Sequence, residues 1–502
     1  MLSRTHTVAF LGVEARLVEV QCALSPGLPA FTIVGLPDKA VSESRERVRS
    51  ALTAAGLAMP SQRITVNLSP ADLPKTGSHF DLPIALALMG ALGALPASEV
   101  DHCVAIGELS LDGEIRGVQG ALPAALAAAA LDKTLICPLA SGREAAWVGA
   151  CDIVAPDTLI ALVNHITGTV VLAPPQPGAV AHRHSAADLI DVKGQEVSRR
   201  AMEVAAAGGH HILMVGEPGS GKSMLASRLT SIMPALSPEE ALEVATIYSL
   251  AGEPGTAGDG SILRERPYRA PHHSATEAAL IGGGSRARPG EISLAHRGVL
   301  FLDELAEFKR PVLDSLRQPI ETGEVVVARA ETHMRYPARF LLVAAMNPCR
   351  CGYLTDAGRA CSRAPRCGKD YLSRLSGPLL DRFDIRVEVP PVSPATLALP
   401  SHGESSAKVA RRVAQARAVQ ADRSSKPTLT NAELEGEILS RVAAPDAQGH
   451  DLLQAAAEKL RLSARGYARV LRLARTIADL DGAVAVSRPH IAEAVSYRRA
   501  FC

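Results

Sequence analysis

Residues 211–223 read HILMVGEPGSGKS, a lysine and a hydroxyl directly behind a glycine-rich turn. The apolar run 212–215 predicts a buried strand and residues 224–229 predict a helix. Between them Gly216, Glu217, Pro218, Gly219, Ser220, Gly221, Lys222 and Ser223 spell Gly-x4-Gly-Lys-Ser, a nucleotide phosphate cradle. In such a loop backbone N–H groups turn toward the phosphates and the helix start adds partial positive charge, so the ligand predicted is a nucleotide with β- and γ-phosphates. Lys222 then reaches the β- and γ-phosphates, and Ser223 ligates Mg2+. Further along, the apolar run 298–302 ends in Asp303 and Glu304. An acidic pair at a strand end suits phosphoryl transfer, Asp303 holding magnesium through water and Glu304 acting as general base on the attacking water. Another apolar run, 340–346, ends at Asn347, a polar residue placed to orient that water; a strand-end asparagine cap is the alternative. Cys349, Cys351, Cys361 and Cys367 fall within nineteen residues. Thiolates clustered this way favour tetrahedral Zn2+, although the pair Cys349-x-Cys351 is spaced more tightly than a usual knuckle, so unligated thiols are the alternative.

The elements that position these groups belong to a chain of 502 residues, long enough for about three domains. Its 53 basic and 52 acidic residues exclude a polybasic binder and leave nucleic-acid contact to local patches or to an oligomeric ring. Aromatic residues are 3%, with Trp147 the one tryptophan, which argues against base-stacking platforms. No apolar run of 18 residues occurs; the longest, 82–95, is too short to span a bilayer and contains Pro83 and two glycines. The start of the chain has no signal-peptide layout, so the expected location is cytoplasmic, with no membrane partner.

Residues 1–172 alternate strand-like runs (15–22, 31–34, 63–68, 104–106) with helical ones (42–55, 82–92, 122–130), an α/β or α+β domain. A proline-rich, polar stretch, 173–187, reads as a semi-rigid linker. The nucleotide motifs occupy 188–395, and 396–502 reads as helices over 405–422, 431–443, 448–460, 464–480 and 488–497.

Several stretches carry resemblances to known families. Residues 64–71, 74–77, 80–85 and 107–114 resemble the proteolytic domain of Lon proteases, but His79 stands where that motif has its nucleophilic serine and Leu122 about where it has the lysine base. A serine nucleophile needs a base within hydrogen-bond reach, so this domain is expected to be catalytically inactive and to serve structure or interaction. The stretches PHH (271–273), GGG (282–284), PGEISLAH (289–296), VLFLDEL (299–305) and SGPLLDRFD (376–384) resemble the magnesium-chelatase-like AAA+ proteins, specifically the ComM/YifB branch. The resemblance implies an α/β fold: a Lon-protease-like domain, a three-layer P-loop AAA+ core at 188–395 and a helical lid at 396–502. It further implies a ring-forming ATPase, typically a hexamer, that migrates branched DNA during natural transformation. A metal-insertion motor of the chelatase type and a protein-remodelling ATPase are the other readings. By motif position Arg382 is the finger that reaches a neighbour's nucleotide, with Arg374 a weaker candidate, and Arg465 is a sensor that touches the γ-phosphate and couples its loss to lid rotation. Arg469 and Arg472 recur at helical spacing and can instead form a solvated face. Residues 324–335 resemble a pore hairpin offering Arg329, His333 and Arg335 to a phosphate backbone, a solvated hairpin tip being the alternative. The basic insertion 264–290, with Arg266, Arg269, His272, His273, Arg286 and Arg288, is read as a mobile loop near substrate whose role the residues do not give.

Overall fold

The computed structural model describes residues 2–181, 187–252, 260–284, 287–328, 333–354, 356, 358–400, 403–423 and 429–498. Arg286, Arg329 and linker residues 182–186 lie outside them.

The N-terminal part is built on a seven-stranded mixed sheet in the order Ala30–Val34, Arg63–Ser69, Glu14–Ser25, Leu2–Leu11, Cys103–Ala105, Thr134–Ile136, Ile153–Val154. Leu2–Leu11 was not legible as a strand because part of its inward face is made of hydroxyls, Ser3, Thr5 and Thr7, so the apolar alternation that marks a half-buried strand is missing. The apolar run read at 82–95 becomes helix Asp81–Ala91, buried almost throughout, with Pro83 tolerated in the first turn where no helical N–H is needed. Asp81 at its start is fully buried and accepts two hydrogen bonds from the Arg47 guanidinium, at 2.6 and 2.9 Å. Neither Lon-like position carries nucleophilic chemistry. His79 is buried with Nε2 2.9 Å from the Val8 carbonyl, and Leu122 packs in an apolar cluster with Leu236, Val244, Ile247 and Leu294 of the following part of the chain.

The linker is not a free spacer. Pro175 packs against Gly142, and Val180–Ala181 pairs in parallel with Ile262–Leu263. The tip of the first hairpin also touches the central part: a Cβ on Gly12 would stand 2.2 Å from the Arg335 carbonyl, so only glycine allows this approach.

The central sheet has five strands in the order Tyr268–Arg269, Val299–Leu302, Leu341–Met346, Ile212–Val215, Ile385–Glu388, every neighbouring pair parallel. Burial on both faces explains why its central strands read as unbroken apolar runs. Ile212–Val215 lies between two strands that come later in the chain, so the path of the chain reverses beside it; in open parallel sheets that switch point opens a ligand crevice at the carboxyl ends of the strands. The C-terminal helices Ser406–Arg423, Gly436–Val442, Ala447–Leu460, Ala464–Leu480 and Arg488–Ser496 continue the same core, Leu473 and Ile477 joining Ala201 and Val204 of helix Glu196–Gly208. Two polar contacts tie this docking: Gln420 donates to the Ala207 carbonyl, and His210 Nε2 lies 2.8 Å from Thr476 Oγ1.

Candidate nucleotide site

The phosphate loop leaves the carboxyl end of Ile212–Val215 and enters helix Lys222–Arg228, which begins two residues earlier than its sequence predicts. Gly216 is required by close approach, since a Cβ there would stand 2.2 Å from the Val389 carbonyl. Lys222 Nζ donates to the carbonyls of Gly216 (2.9 Å) and Glu217 (2.8 Å) and lies 3.2 Å from Asn347 Oδ1. Burial lowers the pKa of this ammonium while Asp303, Glu217 and Glu304 act to raise it. The loop, the Asp303-Glu304 strand and the strand ending at Asn347 therefore converge. Ser223 Oγ donates to Asp303 Oδ2 at 2.6 Å, joining the two oxygen ligands assigned to magnesium from separate motifs. This donor set, a hydroxyl and a carboxylate beside an ammonium and the glycine-rich turn, fits Mg2+ with a triphosphate.

Glu304 follows in the left-handed region, φ 52° and ψ 46°. A non-glycine residue held there costs on the order of 1–3 kcal/mol and is typically found where function over-determines the backbone. Its carboxylate lies 3.1 Å from His273 Nδ1. The sequence offered His273 only as part of the PHH stretch and of the basic insertion near substrate, not as the partner of Glu304, because the pairing is made by a loop about thirty residues upstream. Two other arginines of the basic insertion are anchored to the protein and not free to meet a substrate. Arg266 donates to the Pro234 and Arg297 carbonyls and to Glu240, and Arg269 makes two bonds to Glu291.

The predicted finger and sensor lie elsewhere. Arg382 is 8% exposed, donates to the Pro378 carbonyl at 2.6 Å and is ion-paired with Glu321. Arg465 Nη1 stands 4.0 Å from the same Glu321. Both arginines line a cavity of about 680 Å3 that also takes in His211, Gly298 and Leu341, residues at the amino ends of three sheet strands. The phosphate loop is at the carboxyl ends. A four-residue strand alone separates the two ends by roughly 13 Å, so the expectation that Arg465 touches a γ-phosphate does not hold for the chain's own phosphate loop. Arg469 pairs with Asp384 at 3.2 Å and Arg472 donates to the Leu434 carbonyl, so neither forms a solvated face. Arg374 bonds Glu307 and the Ala306 carbonyl, just past Glu304. His333 and Arg335 are exposed on strand His333–Pro337, paired with Glu324–Ala328.

After Asn347 comes the cysteine loop. The Cys349, Cys351 and Cys367 sulfurs lie within 4.8 Å of one another, with Cys349 and Cys351 3.0 Å apart. Cys361 lies near enough to Cys351 and Cys367 to influence both thiols but outside that group of three. The Cys349 side chain stabilises the Cys351 thiolate and brings its pKa down to about 6, while burial pushes Cys349 up.

Comparison with known proteins places this geometry in a family. Residues 188–397 match the family model described as magnesium chelatase, subunit ChlI; residues 18–141 match one described as subunit ChlI of Mg-chelatase, and 403–498 one described as its C-terminal part. The competence protein ComM of Haemophilus influenzae is 44% identical over 505 residues, covering 99% of this chain and 97% of that protein. The protein YifB of Escherichia coli is 44% identical over 500 residues, with the same coverage of both chains. The magnesium-chelatase 38 kDa subunit of Cereibacter sphaeroides is 28% identical over 323 residues, 60% of this chain and 87% of that one. The chain belongs to the ComM/YifB family of magnesium-chelatase-like AAA+ proteins.

Proposed function

We propose that this protein hydrolyses ATP as one subunit of a closed ring, typically a hexamer, and uses the energy to move along DNA. The observation that carries the ATPase reading is the 2.6 Å contact between Ser223 and Asp303, with Lys222 held beside Asn347. A bound Mg2+ would be held by Ser223 and Asp303 and would supply positive charge that offsets the charge developing on the phosphates. Lys222 orients the γ-phosphate, Asn347 positions the attacking water, and Glu304, oriented by His273, accepts its proton. The ring reading is supported by where two arginines lie. Arg382 and Arg465 face away from their own phosphate loop, so they serve a nucleotide held by a neighbouring subunit, where a guanidinium stabilises transition-state charge.

The DNA reading rests on the likeness to a competence protein over nearly the whole chain, and on the exposed His333 and Arg335, which a ring would repeat at its centre. On this reading the protein is a cytoplasmic branch-migration helicase that promotes recombination during natural transformation. Its cofactors are ATP and Mg2+, with zinc assigned to Cys349, Cys351, Cys361 and Cys367. Metal insertion, as the chelatase subunit's name describes for that protein, and protein remodelling are the competing substrates. ATP hydrolysis measured with single-stranded DNA, branched DNA and unfolded protein separates them. Stimulation by branched DNA above the other two is expected; stimulation by unfolded protein alone, or by none of the three, overturns the DNA assignment.

A further inference from the structure

Between Asn347 and Pro365 the described residues form no helix or strand. Segments of more than about 12–15 residues without secondary structure are uncommon inside compact domains and are usually functional, so something other than a backbone ladder must fix this one. Three thiols lie in it, Cys349, Cys351 and Cys361, and Cys367 joins them from the start of helix Arg366–Leu372. Four sulfurs around one zinc ion, each bonded at about 2.3 Å, stand roughly 3.8 Å apart. For Cys349, Cys351 and Cys367 the present separations bracket that value, with Cys349 and Cys351 at 3.0 Å and the three within 4.8 Å, so these three need little adjustment and Cys361, nearby, would close in as the fourth.

The same loop is docked on the phosphate loop. A Cβ on Gly352, whose φ is +87°, would come within 2.6 Å of Pro218 Cγ and Cδ, so the two loops are in direct contact. Arg359 Nη2 lies 2.9 Å from Glu217 Oε2, and its guanidinium stacks 4.3 Å over the Tyr353 ring. Glu217 is a buried carboxylate inside a loop built to receive phosphates, and unpaired it would repel them. Asn347, held to Lys222, is two residues from Cys349. The cysteine loop therefore neutralises Glu217, backs Pro218 and carries Asn347.

We propose that the four cysteines hold one zinc ion whose role is to clamp this loop against the phosphate loop, so that metal occupancy sets the affinity for ATP. The proposal rests on the ATP-binding reading, and its test keeps the two apart. Full-length protein purified without chelators is analysed for zinc and titrated with a fluorescent ATP analogue. The titration is repeated after the metal is released with a mercurial and chelator and after zinc is returned. About one zinc per chain is expected, with affinity falling on the order of tenfold on removal and recovering on return. Arg359→Ala should keep its zinc yet bind the analogue about threefold more weakly, because Glu217 loses the guanidinium that offsets its charge. Adding Glu217→Gln to that variant should restore affinity, a rescue that simple damage to the fold would not give. Zinc below about a tenth of an equivalent, unchanged affinity after zinc removal, or wild-type affinity in Arg359→Ala each overturns the clamp. Zinc-loaded wild-type protein that fails to bind the analogue overturns the phosphate-loop reading and the clamp with it.

Discussion

On the proposed mechanism hydrolysis turns on Glu304, and its surroundings make the prediction specific. Glu304→Gln keeps the left-handed backbone, Ser223, Asp303 and Lys222, so it should bind ATP. It should release phosphate on the order of a hundredfold or more slowly, since the proton acceptor is gone. Lys222→Ala should lose nucleotide binding itself; nucleotide titration beside a phosphate-release assay distinguishes the two. The phosphate loop and the Asp303-Glu304 pair were legible because their requirements are local: glycines where the backbone must turn, a hydroxyl and carboxylates at strand ends. His273 was not, because its meeting with Glu304 depends on how an irregular loop folds back. Arg465 was legible as a motif arginine but not in its placement, which is set by the docking of the C-terminal helices on Glu196–Gly208.

Among the elements, helix Asp81–Ala91 shows how apolar burial and one buried ion pair are coupled. Asp81 is fully buried and Arg47 22% exposed, so truncating the arginine strands a carboxylate that burial already pushes toward the neutral form. Arg47→Ala should cost about 3–5 kcal/mol of stability in the N-terminal domain. Urea unfolding followed by the fluorescence of Trp147, the one tryptophan, which lies in this domain, checks it.

His79, just before the same helix, adds a pH dependence. Burial holds its pKa at about 4 in the folded protein against 6.5 for the free side chain. Between these values the unfolded chain binds the extra proton, so folded-state stability is full above pH 6.5 and falls as pH drops toward 4, by up to about 3 kcal/mol. His79→Gln should flatten the difference between unfolding midpoints at pH 7 and pH 5 as followed by Trp147; an unchanged difference would assign the dependence to other groups. The helices and central strands were legible from their periodicity or unbroken apolar runs. Strand Leu2–Leu11, with its buried hydroxyls, and the pairing of the linker through Val180–Ala181 were not, because neither leaves a hydrophobic pattern.

At the scale of the whole molecule, one chain presents a phosphate loop at the carboxyl ends of its central sheet and a cluster of arginines at the amino ends. Glu321 holds Arg382 and Arg465 together at that second surface, and subunits arranged head to tail would bring one surface against the other. The direct test is complementation between dead subunits. On the proposed reading Lys222→Ala has no working phosphate loop and Arg382→Ala no finger, so each alone should be nearly inactive. In an equal, exchanging mixture roughly a quarter of the interfaces pair an intact loop with an intact arginine. ATP hydrolysis should therefore return in the mixture, with Arg465→Ala behaving as Arg382→Ala does. Mixed rings shown to form and to exchange subunits, yet recovering no hydrolysis at any ratio, would contradict a site shared between neighbours.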